Sequence, residues 1–248
     1  MLARKLAEFG DHIKLFGNNI IQRTIELYYD ILNNIHPSPS HIHYMFSIRD
    51  IARVVEGLLC ANKDYIDTLE SFNRLWIHEC IAVFSDKLAS DQDIQQFFLF
   101  LHDKLKLLSN QTLNNLFPEK RYPLFCDFTH ESKIYMEVDQ NSLTEFLQNV
   151  LQQYNNLEYT SPINLILFED TIKYICRICR ILHCARGNML LLGSSGVGKQ
   201  TLSKLSTYIC GYSLFQIKLN DSYNENEFRE GLFISIYAYI LLLRLHNT

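Results

Sequence analysis

Tryptophan is almost missing from this chain, a single residue at position 76, and only five prolines and nine glycines punctuate its 248 residues. Such scarcity excludes a collagen-like or Pro/Gly-rich disordered chain and favours long, uninterrupted elements. No apolar run reaches the roughly 18 residues that a membrane-spanning helix needs. The longest, Leu232 to Leu243, is broken by Ser235 and reads as a buried or truncated element. Positive charge is not in excess either: 23 Lys and Arg stand against 27 Asp and Glu, a net charge of -4. Neither nucleic acid nor an anionic membrane surface is therefore expected as a partner. Met1 to Asp11 lacks the apolar centre and small-residue cleavage site of a secretory leader. Seven cysteines, an odd number at irregular spacing, do not make a disulfide framework. Free thiols in a reducing intracellular compartment are expected.

What is present is an ordinary globular composition, 48% hydrophobic and 20% charged. That suffices for the core of one large domain or two small ones. Ile20, Thr24, Leu27, Ile31 and Leu32 keep helical spacing until His36-Pro37-Ser38-Pro39-Ser40 stops them, a boundary near residue 40. Ser47-Ile48-Arg49-Asp50 has the capping-box pattern and predicts a helix through Leu59. Leu69, Phe72, Leu75, Trp76, Cys80, Val83 and Phe84 share one helical face, and Ile94 to Leu108 form a second stripe. Residues 109–131 read as a loop-like linker, and Leu143 to Leu151 as a bridging helix within 111–160. A further helix is predicted from about Ile163 to Leu182. Then the period changes. Asn188 to Leu192 reads as a buried parallel strand, the residues from Lys199 as a helix ending before Gly211, and Phe215, Ile217 and Leu219 as a second, alternating strand. Ser222-Tyr223-Asn224-Glu225 repeats the capping pattern before a last short helix.

The order strand, glycine loop, helix, strand frames the chemistry. Gly193-Ser194-Ser195-Gly196-Val197-Gly198-Lys199 fits the glycine, four residues, Gly-Lys pattern of the P-loop, or Walker A motif. Glycines let successive amides converge on phosphate oxygens, the following helix presents its positive end, and Lys199 adds a mobile charge. Phosphate binding is expected; a plain glycine-rich turn is the competing reading. Gln200 stands where a serine or threonine would bind magnesium, and Thr201 comes one residue later, turned by about 100 degrees around the helix. Magnesium is thus expected to be held indirectly and hydrolysis to be slow. Leu165 to Asp170 imitates an apolar strand ending in acids, yet it precedes the loop and reads as a helix start. No acidic strand follows the loop. Cys176, Cys179, His183 and Cys184 lack a second Cys-x-x-Cys pair and read as helix residues rather than zinc ligands. His36, His41, His43 and His78 read as ordinary polar or packing residues.

In several segments, in order, the chain resembles the dynein heavy chain, a ring-shaped AAA+ motor. His43 to Val54 is similar to the start of the helical lid of that family's third AAA+ module, and Arg74 to Glu79 to its continuation. Asn164 to Asp170, Arg177 to Leu182 and Arg186-Gly187-Asn188 resemble the approach to the fourth module, whose nucleotide loop would be Gly193 to Thr201. Gly198-Lys199-Gln200 followed by a hydroxyl residue resembles the axonemal branch. The resemblance covers residues 20 to 231 and implies an α/β fold with a large all-α part, a helical lid followed by an incomplete parallel-sheet P-loop subdomain. It divides the chain into 1–40, the helical end of a preceding module; 41–110, the lid; 111–160, linker and bridging helix; 161–231, the start of the next module; and 232–248, an atypical apolar tail. It implies ATP or ADP as ligand, a regulatory role within an ATP-driven microtubule motor, and residence in the cytoskeleton of a ciliary axoneme. Partners so implied are the other AAA+ modules and, through the parent chain, intermediate chains, light chains and microtubules. Arg49 resembles a second-sensor arginine reaching nucleotide on the preceding module; a surface ion pair is its alternative. From Leu232 onward the resemblance ends, as in a fragment or altered gene model. Nucleotide binding without turnover is expected, against the alternative of a helical interaction module with a vestigial loop.

Overall fold

A computed structural model describes residues 5–6, 9, 11–117, 122–130, 132–157, 161–184, 187–217 and 224–231, with 11–15 as backbone alone. Helices dominate: α1 (Asp11–Asn34), α2 (Ile48–Leu59), α3 (Leu69–Val83), a 3-10 turn (Ser85–Lys87), α4 (Asp91–Ser109) and the short α5 (Leu113–Leu116) come first. Strands β1 (Leu124–Cys126) and β2 (Met136–Val138) follow, then α6 (Gln140–Asn155), α7 (Glu169–His183), α8 (Lys199–Ile209) and α9 (225–231).

Local signals set these limits. The Asp50 carboxylate reaches back to the Ser47 amide at 2.8 Å, so the capping pattern opens α2 as expected. Thr68 and Ser71 exchange the same pair of bonds at the start of α3, at 3.1 and 3.2 Å. At the end of α8, Gly211 is left-handed at φ 73°, and the amides of Gly211 and Tyr212 return to the carbonyls of Tyr208 and Thr207. That is the Schellman stop glycine permits.

Two cores result. In the first, α1 packs on α4 and α2 on α3, and Trp76 is fully buried with its indole N–H donating to Thr24 Oγ1 at 2.9 Å. The second gathers α6, α7 and α8 around Leu147, Ile175 and Leu205. Between them lies the segment expected as a loop-like linker, and here the structure differs. β1 and β2 form an antiparallel ribbon, Leu124 opposite Val138 and Cys126 opposite Met136. Phe125 belongs to the first core and Cys126 to the second, because successive side chains of a strand point to opposite faces.

Three further expectations are corrected. Residues 163–168 are not helical; α7 begins at Glu169. The Asn155 side chain clamps Ile163 from both sides, accepting its amide at 2.7 Å and donating to its carbonyl at 3.0 Å. Burial then alternates: Ile163, Leu165 and Leu167 face the second core, whereas Ile166 and Phe168 stand 82% and 57% exposed. Residues 188–192 were expected to form a buried parallel strand. They show the same period of two, with Met189 and Leu191 turned inward and Leu190 and Leu192 79% and 72% exposed, but no parallel sheet forms among the described residues. A strand persists only where a neighbouring strand takes up its backbone hydrogen bonds, and among the described residues no strand is paired with 189–192. Phe215 to Ile217 likewise pair with no strand among the described residues and are exposed. Lys218, Leu219 and Ser222 of the expected strand and cap lie outside the described residues, as does the tail from Leu232. It is Asn224 that caps α9, its side chain accepting the amides of Asn226 and Glu227 at 2.9 and 3.1 Å.

Gly57, inside α2, marks how tightly α2 meets α3: a Cβ there would overlap the Glu79 carboxylate. Alanine in place of a helical glycine ordinarily gains up to about 1 kcal/mol. Gly57→Ala is instead expected to lose about 1–3 kcal/mol through overpacking, read as a lower urea midpoint in Trp76 emission. A raised midpoint would show that Glu79 moves aside at no cost.

Candidate nucleotide site and the seam behind it

The glycine loop enters α8 directly. Gly198 is the residue before its first turn, and both Gly196 and Gly198 hold left-handed backbone, at φ 85° and 82°. L-residues rarely adopt that conformation, which explains glycine at these two positions. Gly193 answers a different need: a Cβ there would come within 2.9 Å of Val197 and 3.9 Å of the Lys199 ammonium. The Lys199 ammonium donates to the carbonyls of Gly193 and Ser194 at 2.7 and 2.6 Å, curling back over the loop. Nothing crowds the open side of Gly196 or Gly198, and residues 193–197 are exposed.

Thr201 is half-buried on α8 and Gln200 exposed, one residue nearer the loop. A cavity of about 250 Å³ lies against this turn, bounded by Leu191, Lys199, Gln200, Ser203 and Phe215. Glu169 and Asp170 open α7, where the positive helix end favours acids, and are exposed. Of the stretch Leu165 to Asp170 read as a helix start, only these two acids are helical. Arg49, second residue of α2, is exposed and makes no ion pair among the described residues. Cys176, Cys179, His183 and Cys184 have separate surroundings: the Cys176 thiol meets Cys126, Cys179 meets Cys210, His183 Nδ1 bonds Asp127 at 2.7 Å, and Arg180 donates to Cys184.

Between the helices of the two cores runs a polar seam with no sequence signature. Arg177 of α7 bonds Asp86 at 2.9 Å and His78 Nε2 at 2.8 Å. His78 Nδ1 in turn donates to the Pro123 carbonyl at 2.8 Å, which leaves Nε2 as the acceptor for Arg177. Lys173 reaches the other oxygen of Asp86 at 2.9 Å. Arg74 pairs with Glu137 of the ribbon, its Nε donating at 2.9 Å. Glu79 accepts from the Tyr135 hydroxyl at 2.6 Å; burial pushes its carboxyl up, against the pull of Arg180 and Tyr135. The helices of the two cores are thus docked through charge, and His78 is part of that docking rather than a plain packing residue.

The seam makes stability depend on pH. Burial, then the Arg177 charge, hold His78 well below its ordinary 6.5 and so neutral. An unfolded chain takes up that proton below about pH 6.5 whereas the folded one does not, so stability falls as pH drops. Between pH 6.5 and 5.5 the loss is expected to be about 1 kcal/mol, the unfolded imidazole being already half protonated at the upper end, measured as urea midpoints. His78→Gln should flatten that slope; an equal slope in the variant would move the effect to another group.

Similarity to known proteins follows both halves. Residues 3–94 match the family described as "Dynein heavy chain, ATPase lid domain", and residues 163–237 that described as "P-loop containing dynein motor region D4". Dynein axonemal heavy chain 2 of Mus musculus is 41% identical over 233 residues, 94% of this chain. The chain belongs to the dynein heavy chain family. Dynein axonemal heavy chain 3 of Homo sapiens is 34% identical over 88% of this chain, and the Chlamydomonas reinhardtii protein named "Dynein beta chain, flagellar outer arm" 32% over 91%. This dynein sequence spans 5% of the mouse protein and 6% of the human one. Its lid match begins ahead of α1, which packs in the same core as α2 to α4. The D4 match takes in the clamped 163–168 segment, the alternating 188–192 segment and the glycine loop.

Proposed function

We propose that this chain is a regulatory, nucleotide-binding segment of an axonemal dynein motor, holding ATP or ADP phosphates on Gly193 to Thr201. The observation that carries the reading is the loop itself: left-handed Gly196 and Gly198 leading into α8, with the Lys199 ammonium 2.7 and 2.6 Å from loop carbonyls. These residues fit a polyphosphate. Binding would exchange the two carbonyl partners of Lys199 for phosphate oxygens, which make stronger, charge-assisted bonds. Ser194, Ser195 and Val197 contribute backbone, and the positive end of α8 faces the same anion. Magnesium, when bound, would screen phosphate charge; Gln200 occupies the usual hydroxyl position, so Thr201 would reach the ion only indirectly.

The lid reading extends to Arg49, exposed at the start of α2, which as a second-sensor arginine would reach nucleotide on a preceding, third AAA+ module. In the parent chain the segment would bias an ATP-driven microtubule motor of the ciliary axoneme, working beside the other AAA+ modules and with intermediate and light chains. Residues 1–40 and 41–110 then belong to the preceding module and its lid, 111–160 to the bridge, and 161–231 to the fourth module. Support comes from the order of the two family matches and from the axonemal names of the relatives.

Thermal unfolding with and without ATP tests this reading. At 100 times the dissociation constant, ATP is expected to stabilise the chain by about 2.7 kcal/mol. An unchanged melting temperature at saturating ATP and ADP would leave a helical interaction module with a vestigial loop. Thr201→Ala is expected to keep the shift in magnesium; its loss from that change alone would put the ion directly on Thr201.

A further inference from the structure

A second cavity, of about 490 Å³, opens between the residues after α2, the turn joining β1 to β2, and α7. Its walls include Arg180, Lys63, Lys133, Tyr135 and Asp127, and no residue of the glycine loop. Charge there is uneven. Among the described residues, Lys63, Lys133 and Arg180 face it against Asp64 and Asp127, and Asp127 is already engaged by His183 at 2.7 Å. Neither Lys63 nor Lys133 has a carboxylate within ion-pairing distance among the described residues.

Arg180 is the informative side chain. It is only 18% exposed, its guanidinium carbon lies over the Tyr135 ring at 5.2 Å from the centroid, and it carries five donors. Its acceptors are poor: the Cys184 thiol at 3.0 Å, a weak one, and a Glu79 oxygen at 3.9 Å, beyond hydrogen-bond length. Glu79 spends its other oxygen on the Tyr135 hydroxyl. The Arg180 Nε is buried with no hydrogen-bond partner among the described residues. A guanidinium held over a ring, largely desolvated and short of acceptors, with two ammonium groups lining the same cavity, has the donor set that recognises a tetrahedral oxyanion.

We propose that this seam cavity binds a phosphate group, with Arg180 donating to its oxygens and Lys63 and Lys133 supplying charge. Because its walls come from both the lid and α7, a bound phosphate bridges the two cores and stiffens their docking. The phosphate belongs either to inorganic phosphate or to the end of a nucleotide, and the cavity volume admits both.

The test uses the whole chain carrying Lys199→Ala, which silences the glycine loop. Inorganic phosphate and ADP are titrated separately by calorimetry at 50 mM salt, then again with Lys63→Ala and Lys133→Ala added. Binding that survives Lys199→Ala and weakens at least tenfold in the triple variant supports the site: with phosphate alone the ligand is the free anion, with ADP alone it is a nucleotide terminus. Arg180→Lys should also weaken it, at unchanged circular dichroism and Trp76 emission. No binding of either probe in Lys199→Ala would overturn the proposal. Equal affinity with and without Lys63 and Lys133 would overturn it too. The surface position of the two lysines keeps the comparison open even where an Arg180 variant fails to fold.

Discussion

Arg177→Ala is expected to destabilise the protein by about 3–5 kcal/mol, the cost of removing one partner from a buried charged network. Two bonds go at once, those to Asp86 at 2.9 Å and to His78 Nε2 at 2.8 Å. Asp86 keeps Lys173 at 2.9 Å, but His78 is left with a buried acceptor and nothing to fill it. Because Arg177 is the strut from α7 to the far core, the loss should show as uncoupling as well as a fall in melting temperature of roughly 10 °C. Trp76, the lone tryptophan, reports the first core only, whereas far-ultraviolet circular dichroism reports both. The two probes should melt together in the parent chain and apart in the variant. Coincident curves at an unchanged temperature would show that apolar contact alone docks the cores. Arg177→Lys should recover the Asp86 contact and only part of the stability, since an ammonium does not reproduce the guanidinium fork.

Lys199→Ala is expected to weaken ATP binding about a hundredfold, or roughly 2.7 kcal/mol, within the range for charged hydrogen bonds. The nucleotide-free protein should barely change. There the ammonium bonds only exposed loop carbonyls of Gly193 and Ser194, which water replaces readily. Surface changes of that kind usually stay within about 0.5 kcal/mol. Removal of Lys199 should therefore erase the ATP-induced shift while leaving the starting melting temperature in place. If ATP affinity stays within threefold, the phosphates are held elsewhere.

These expectations differ in how far the amino-acid sequence alone could reach them. Helices were legible where the signal is local: Ser47 and Asp50 sit three residues apart, the prolines at 37 and 39 end α1, and Gly211 ends α8. The glycine loop was legible for the same reason, its seven residues being consecutive. Residues 163–168 were misread because a short apolar run fits helix and strand alike. What decides them is Asn155, eight residues earlier, which bonds both backbone groups of Ile163. The ribbon was missed because a strand such as Leu124–Cys126 is too brief to display a period. The seam was hidden by distance, His78 and Asp86 lying 99 and 91 residues from Arg177. No spacing rule links such positions. The expected parallel sheet failed on another ground, since 188–192 has the alternation of a strand yet is paired with no other strand among the described residues.

The β1–β2 ribbon turns one backbone into a shared hinge pin for two interiors. With Phe125 serving one side and Cys126 the other, deleting a single residue just ahead of β1 would swap their faces and spoil both interiors together. Deleting two would restore the alternation and shift only the pairing of the strands. Length at that point is therefore counted in steps of two, a constraint felt by insertions and deletions more than by substitutions.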